Sequence, residues 1–241
     1  MANNIKYFIG NWKMFGVPKS ISILDKINKF VKSDKKFNRK YKVVITPPNT
    51  LVQSYAKFFK DKKISIGAQN CYHKDNFGAN TGSVSPFMIQ SVGAKYIIIG
   101  HSDNRLEGDT EDMLKNKVEN SLKNKLKVVF CIGENKEHKS SNRTFDVLEN
   151  QIKKSLDNKI NFKDIIIAYE PIWSIGTGLI PEPDDLIKTT LFIKSVIRGL
   201  FKKQKSPVVL YGGSVGGNNI NQFKRLSEID GFLIGGASKS D

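Results

Sequence analysis

The chain of 241 residues is long enough for one large α/β domain or two ordinary domains. It carries 39 Lys and Arg residues against 23 Asp and Glu residues, which gives a formal net charge of +16. No apolar run approaches the roughly 20 residues that cross a bilayer, and residues 1–10 lack the features of a signal peptide, so we expect a cytoplasmic protein without membrane association. The basic residues are spread over every segment, without a basic tail or a patch interleaved with aromatic residues, which favours solvated helix faces over a nucleic-acid partner.

Eight short β-rich runs follow one another along the chain, and most are apolar throughout rather than alternating. Continuous apolar runs of this length are typical of parallel strands that are covered on both faces. The runs are residues 6–9, 42–45, 64–67, 96–99, 128–131, 165–168, 208–211 and 231–234.

Polar stretches with apolar residues at helical spacing separate these strands. The clearest are residues 20–31, 113–126, 145–156 and 186–201, and Pro48 and Pro86 mark two further helix starts. Strand and helix alternate without a linker, which predicts one α/β domain over residues 1–241 with a (β/α)8 barrel fold. Only residues 235–241 follow the eighth strand, so we expect the eighth helix to be missing or truncated and apolar barrel surface to be uncovered between the first and seventh helices.

Polar residues and glycines follow most of the predicted strands, and in barrels of this kind the active site lies at the carboxyl ends of the strands. Any one of these residues, taken alone, fits an ordinary turn or a structural side chain. Their coincidence at one face of a barrel predicts an assembled site instead. They are Asn11, Lys13, Gln69, Asn70, His101, Ser102, Glu134, Glu170, Gly212, Gly213, Ser214, Gly235 and Gly236.

These residue types fit proton transfer on a phosphorylated substrate. Glycines after the seventh and eighth strands allow backbone N–H groups to approach a phosphate, and Lys13 adds a positive charge. Glu170 is a candidate base and His101 a candidate proton donor. The histidines are scattered, and Cys71 and Cys131 have no paired spacing, so we expect free thiols and no metal site. The set predicts proton abstraction next to a carbonyl in a small phosphorylated substrate.

Six stretches in the same order as in the family resemble triosephosphate isomerase, and together they span nearly the whole chain. The resemblance implies a TIM barrel that interconverts dihydroxyacetone phosphate and D-glyceraldehyde 3-phosphate through an enediolate, in glycolysis and gluconeogenesis, with no cofactor. The stretches are Gly10-Asn11-Trp12-Lys13-Met14, Gly100-His101-Ser102, Cys131-Ile132-Gly133-Glu134, residues 168–178 from Ala168 to Gly178, Tyr211-Gly212-Gly213-Ser214-Val215 and residues 230–238 from Asp230 to Ser238.

The resemblance also implies a role for each residue in the catalytic chemistry. Glu170 takes the proton from carbon, and His101, as a neutral imidazole, polarises the substrate oxygens and moves a proton between them. Lys13 stabilises the developing negative charge and attracts the phosphate, and Asn11 positions the substrate. These assignments belong to the family and are carried over by the matching motifs.

Further residues are implied to bind the phosphate or to support the site. Residues 176–178 form the tip of a lid over the phosphate, which is bound by the backbone N–H groups of four residues. A second set supports the site from behind. It consists of the Asp103 carboxylate beside Lys13, a hinge contact between the Trp173 indole and the Glu134 carboxylate, and Tyr211, which contacts the closed lid. The phosphate-binding residues are Gly176, Ser214, Gly235 and Gly236, and the supporting residues are Asp103, Trp173, Glu134 and Tyr211.

The resemblance implies a homodimer that forms through the loop around Thr81. At several positions the sequence departs from the family pattern: Asp103 and Asn104 stand where Glu and Arg are usual, and Asn80 and Ser83 where Phe and Glu are usual. Two alternatives remain at this level, an isomerase of a tetrulose phosphate with the same acid-base residues, and a weakly active paralogue with a binding role.

Overall fold

The computed structural model describes residues 5–34, 40–204 and 206–240, and within them eight parallel strands form a closed barrel in sequence order. This confirms the predicted (β/α)8 TIM barrel. Each apolar run predicted as a strand forms one, with ends that differ by at most two residues. The strands are β1 Lys6–Asn11, β2 Tyr41–Thr46, β3 Ile64–Ala68, β4 Tyr96–Ile99, β5 Lys127–Ile132, β6 Ile165–Tyr169, β7 Val209–Tyr211 and β8 Gly231–Ile234.

The helices surround the barrel. The four predicted amphipathic segments form the helices Ile21–Ser33, Glu111–Lys123, Thr144–Ser155 and Pro183–Leu200, and the two prolines mark the starts of the helices Asn49–Phe58 and Pro86–Ser91. Within the described ranges, three helices of four or five residues are too short to show a periodicity in the sequence: Ser102–Leu106, Lys136–Ser140 and Ile220–Phe223. The helices are α1 Ile21–Ser33, α2 Asn49–Phe58, α3 Pro86–Ser91, α4 Ser102–Leu106, α5 Glu111–Lys123, α6 Lys136–Ser140, α7 Thr144–Ser155, α8 Pro183–Leu200 and α9 Ile220–Phe223. None of the helices in the described ranges is long and apolar enough to cross a membrane.

Two apolar layers explain why the strands are apolar on both faces. Alternate residues of β5, such as Val129 and Cys131, point into the barrel and pack with inward residues of other strands. Their neighbours Val128 and Phe130 point outward and pack under the helices. Since every strand is buried on both sides, its carboxyl end is held in a fixed position, and this fixes the floor of the site.

The barrel closes between its first and last strands. Gly231 begins β8 with a backbone φ of +144°, and a Cβ atom at this position would lie 2.0 Å from the carbonyl oxygen of Tyr7. Only glycine permits this approach. After β8 a 3-10 helix, Gly236–Ser238, returns to the start of the chain, where the Trp12 indole N–H donates to the carbonyl oxygen of Ser238 at 2.9 Å.

An apolar groove of about 270 Å³ lies on the outside of the barrel between α1 and α9. Its walls include Phe8 of β1, Phe30 of α1, Ile220 of α9 and Ile234 of β8. Up to residue 240, only the 3-10 helix follows β8. The groove therefore lies on the flank where the sequence predicts uncovered apolar surface.

Candidate active site

A cavity of about 440 Å³ lies over the carboxyl ends of the strands. Its wall brings together every residue that the sequence predicts to act in catalysis or substrate binding. The four predicted supporting residues are not part of this wall, and they lie behind it or beside it. The predicted wall residues are Asn11, Lys13, His101, Glu170, Gly176, Ser214, Gly235 and Gly236.

Glu170 follows β6 directly and is only 2% exposed. Its backbone N–H donates to the carbonyl oxygen of Ile132 at 2.7 Å, which continues the pairing of β5 and β6 beyond the strand. Burial raises the pKa of the Glu170 carboxyl above its ordinary range, and His101, the Ser102 N–H and Lys13 offset part of this rise. A carboxylate with little hydration and a raised pKa is a stronger base than an exposed one.

His101 is buried at the end of β4, and its two ring nitrogens have different partners. Nδ1 accepts a hydrogen bond from the backbone N–H of Asp103 at 3.0 Å, a shorter contact than the 3.5 Å to the Asp103 carboxylate. A nitrogen that accepts from an N–H carries no proton, so this contact favours a neutral imidazole protonated at Nε2. Nε2 lies 3.3 Å from Glu170 Oε1 and faces the cavity.

Lys13 adopts an unusual backbone conformation, with φ at +53° in the left-handed region. Two side chains hold it there: Asn11 Oδ1 accepts from the Lys13 N–H at 3.1 Å, and Gln69 Nε2 donates to the Lys13 carbonyl at 2.9 Å. The Lys13 ammonium lies 3.1 Å from Asp103 Oδ2. The shorter side chain of Asp103 therefore reaches Lys13, and the positive charge is directed at the cavity.

Glu134, two residues after β5, is fully buried and contacts the 3-10 helix Ile172–Ser174. Its Oε1 accepts from the Trp173 indole N–H at 2.8 Å and from the Tyr169 hydroxyl at 3.1 Å. Burial raises the pKa of the Glu134 carboxyl, and the bonds from Trp173 and Tyr169 offset part of the rise. These bonds bring together the predicted pair, Trp173 and Glu134, beneath the lid.

The loop that the resemblance predicts to act as a lid, called the lid below, consists of residues 175–182, between the 3-10 helix Ile172–Ser174 and α8. Gly176 and Gly178 have φ values of +72° and +78°, in the left-handed region that favours glycine. In the same cavity, no heavy atom lies within 4 Å of the Cβ positions of Gly235 and Gly236. A side chain there would project into open space, whereas glycine leaves room for a ligand to approach the backbone.

Three residues that sequence reasoning did not assign prove to contact the site. A Cβ atom on Gly133 would lie 1.7 Å from the carbonyl oxygen of Glu170, so this glycine lets β5 and β6 meet behind the carboxylate. The Cys131 thiol contacts Glu170, and burial raises its pKa well above the usual range. Ser174 joins the lid to the loop after β7. Gly133 and Cys131 lie in one of the quoted motifs, but their contacts are visible only in three dimensions.

Together the groups suit the removal of a proton from carbon beside a carbonyl. A desolvated carboxylate, a neutral imidazole and an ammonium line one cavity, together with glycines of three loops. In the described part of the chain, no three His, Cys, Asp or Glu side chains are grouped to hold a metal ion.

Comparisons with known proteins agree with this chemistry. The family model described as triosephosphate isomerase matches residues 6–241. A triosephosphate isomerase of Debaryomyces hansenii is 37% identical over 239 residues, and the match covers 97% of this chain and 94% of the relative. A triosephosphate isomerase of Thermodesulfovibrio yellowstonii is 35% identical, and the match again covers 97% of this chain and 94% of the relative. The crystal structure of triosephosphate isomerase from Bartonella henselae superposes with a TM-score of 0.88 at 32% identity, covering 98% of this chain and 94% of that one.

Proposed function

Because this chain belongs to the triosephosphate isomerase family, we propose that Glu170, His101 and Lys13 carry out its interconversion of dihydroxyacetone phosphate and D-glyceraldehyde 3-phosphate. The chain is an intramolecular aldose-ketose isomerase. The observation that carries the residue assignment is the 3.3 Å contact between His101 Nε2 and Glu170 Oε1 inside the cavity. This contact supports the assignment, because a carboxylate and an imidazole N–H at this distance can reach adjacent atoms of one small substrate.

In the direction from dihydroxyacetone phosphate to D-glyceraldehyde 3-phosphate, the Glu170 carboxylate takes a proton from the hydroxyl-bearing carbon next to the carbonyl. The electron pair of the broken C–H bond forms a carbon–carbon double bond, and negative charge moves onto the carbonyl oxygen. The His101 Nε2–H donates to this oxygen, and Lys13 stabilises the charge. The protonated Glu170 returns its proton to the neighbouring carbon while a proton moves between the two oxygens through His101, which gives the aldehyde.

We infer that the phosphate is bound by the backbone N–H groups of Gly176, Ser214, Gly235 and Gly236. Support comes from the fact that all four residues line the same cavity as Glu170. Lid closure over the phosphate excludes water from the enediolate, which otherwise loses phosphate by elimination. Asn11 is proposed to help position the substrate and, through its bond to the Lys13 N–H, the ammonium as well.

A coupled assay of the purified chain tests the reaction and its substrate. We expect turnover of D-glyceraldehyde 3-phosphate at ordinary enzyme rates of about 1–10³ s⁻¹ or above. A tetrulose phosphate assayed beside it is expected to react more slowly. Turnover of the tetrulose phosphate alone, or of neither compound, would contradict the proposal.

The pH dependence of kcat/KM is expected to follow Glu170 on the acid side. Proton abstraction needs the carboxylate, so activity rises as pH increases through the pKa of Glu170 in the free enzyme. Since burial raises this pKa above its ordinary value of about 4.5, the acid limb should have its midpoint above pH 4.5. Initial rates at subsaturating substrate, measured across the acid range with stability checked at each pH, test this. A midpoint below 4.5 would show that burial does not control this carboxyl.

We infer that the chain forms a homodimer through the loop around Thr81. Thr81 is exposed, and the neighbouring Phe77 and Phe87 rings pack together while Phe77 remains 78% exposed. Met14, on the loop after β1, is fully exposed. Exposed large apolar side chains that lie together, as Phe77 and Phe87 do, suit burial against a partner.

Analytical ultracentrifugation should give a mass twice that of the 27.1 kDa chain. Phe77→Asp is expected to weaken the dimer, whereas Leu191→Asp, at an exposed apolar site on α8, should leave it unchanged. A chain that stays monomeric at high concentration would contradict the inference.

A cytoplasmic location is proposed from the role in glycolysis and from two buried free thiols, which suit a reducing compartment. Cell fractionation tests this location.

A further inference from the structure

Ser174 places a buried hydroxyl between the lid and the loop after β7. The residue is 0% exposed and ends the 3-10 helix that precedes the lid. Its Oγ donates to the Leu179 carbonyl oxygen at 2.6 Å, on the far side of the lid tip. The Ser214 N–H donates to the same Oγ at 3.3 Å, and the Tyr211 Oη lies 3.3 Å away.

The proton on Ser174 settles the direction of these bonds. A hydroxyl has one proton, and a carbonyl oxygen only accepts, so the Ser174 proton goes to Leu179. Ser174 Oγ is then the acceptor for both the Ser214 N–H and the Tyr211 hydroxyl. All hydrogen-bonding positions of this hydroxyl are used, which holds it in one orientation.

The surrounding backbone leaves room for this arrangement. A Cβ atom on Gly213 would lie 2.4 Å from Tyr211 Oη and 2.8 Å from Ser174 Oγ. Glycine at this position therefore allows the hydroxyl of Ser174 to reach the backbone of the loop after β7. The contact depends on Gly213 as well as on Ser174.

In the substrate-free protein the Ser214 N–H faces Ser174 Oγ and also the Tyr211 hydroxyl oxygen, and the phosphate of the substrate is a further candidate acceptor. An N–H carries one proton and makes one well-aligned hydrogen bond, so Ser174 Oγ and the phosphate compete for it. Because the same hydroxyl also binds Leu179, a change at the Ser214 end alters the bonds that hold the other end of the lid.

We propose that Ser174 is a positioning residue: its hydroxyl occupies the Ser214 N–H and the Leu179 carbonyl in the substrate-free protein, and the substrate's phosphate displaces it from the Ser214 N–H. This rests on the proposed function, in which Ser214 binds a phosphate monoester. Phosphate capture and movement of the lid are coupled through one side chain. The hydroxyl stabilises the free form and so opposes phosphate binding.

Inorganic phosphate is the probe for this competition, with binding measured by calorimetry on the full chain. In Ser174→Ala the free protein loses Ser174 Oγ as a competing acceptor, so phosphate should bind about 3- to 10-fold more tightly, the range expected for one hydrogen bond. The amide proton of Ser214, followed by NMR in the absence of phosphate, should exchange with solvent faster by a similar factor. Ser121→Ala, which removes a fully buried hydroxyl far from the lid, should change neither quantity.

A merely structural role predicts the opposite sign, because loosened packing weakens phosphate binding. Unchanged or weaker binding in Ser174→Ala, or an unchanged exchange rate at Ser214, overturns the proposal. Isomerase activity of the wild-type preparation separates this outcome from failure of the proposed function. An active wild-type protein with no phosphate effect in Ser174→Ala contradicts only the role of Ser174, whereas an inactive wild-type protein contradicts the function.

Discussion

Glu170→Gln is expected to lower kcat for isomerisation by about 10²–10⁴-fold, the usual contribution of a positioned general base. The amide has nearly the same shape as the carboxylate and fits the same buried site, but it cannot take a proton from carbon. The free energy lost is thus expected in the chemical step rather than in binding. A coupled assay over a range of substrate concentrations gives kcat and KM separately.

Glu149→Gln is the matched control for this substitution. Glu149 lies on α7, paired with Lys153 one helical turn away and remote from the cavity, so its amide variant should retain full activity. A Glu170→Gln protein that is folded and retains more than about a tenth of wild-type kcat would show that another group removes the proton. The melting temperature of each variant shows whether a loss of activity reflects unfolding.

Gly133→Ala is expected to reduce kcat/KM by about 10²-fold, although no atom of Gly133 takes part in proton transfer. A Cβ atom there would lie 1.7 Å from the carbonyl oxygen of Glu170 and 2.6 Å from its carbonyl carbon, so the ends of β5 and β6 must move apart. Gln151 fixes the other side of Gly133, donating to its carbonyl oxygen and accepting from its N–H. A displacement of about 1 Å then moves the carboxylate of Glu170, and overpacking should cost about 1–3 kcal/mol of unfolding free energy.

Gly199→Ala tests whether this effect is specific to the position. Gly199 lies in α8 with no atom within 4 Å of its Cβ position, so alanine should leave activity unchanged and stabilise the helix by about 0.5–1 kcal/mol. Thermal melts and kinetics on both variants make the comparison. Equal activity of Gly133→Ala and Gly199→Ala would mean that the backbone of Glu170 accommodates the methyl group without moving the base.

The strands and long helices could be predicted because the pattern of apolar residues in them follows directly from which side chains are buried. A run such as Ile165–Tyr169 is apolar throughout since each of its residues packs against either the barrel interior or the helices. The helix α4 Ser102–Leu106 could not be predicted in this way, because five residues make little more than one turn and carry no periodicity. Its start depends on the His101 side chain, which accepts from the Asp103 N–H.

The wall of the cavity was predictable for a different reason: a closed parallel barrel brings all strand ends to one face, so residues far apart in sequence become neighbours. The side-chain contacts within the site could not be predicted, because they join residues that are far apart in sequence and belong to different motifs. The left-handed backbone of Lys13 needs both Asn11 and Gln69, and Gln69 lies 56 residues away along the chain. The contacts of Ser174 likewise join residues up to 40 positions apart.

The two tryptophans of the chain provide a natural pair of optical reporters. Trp12 is fully buried, packs edge-on against Phe15 and Tyr55, and donates to Ser238 where the first and last strands meet. Trp173 lies in the 3-10 helix that precedes the lid and donates to Glu134. Indole emission depends on hydrogen bonding and hydration, so the fluorescence of Trp173 follows the lid and that of Trp12 follows closure of the barrel. Variants that retain one tryptophan each would separate ligand-driven motion from loss of the fold without any added dye.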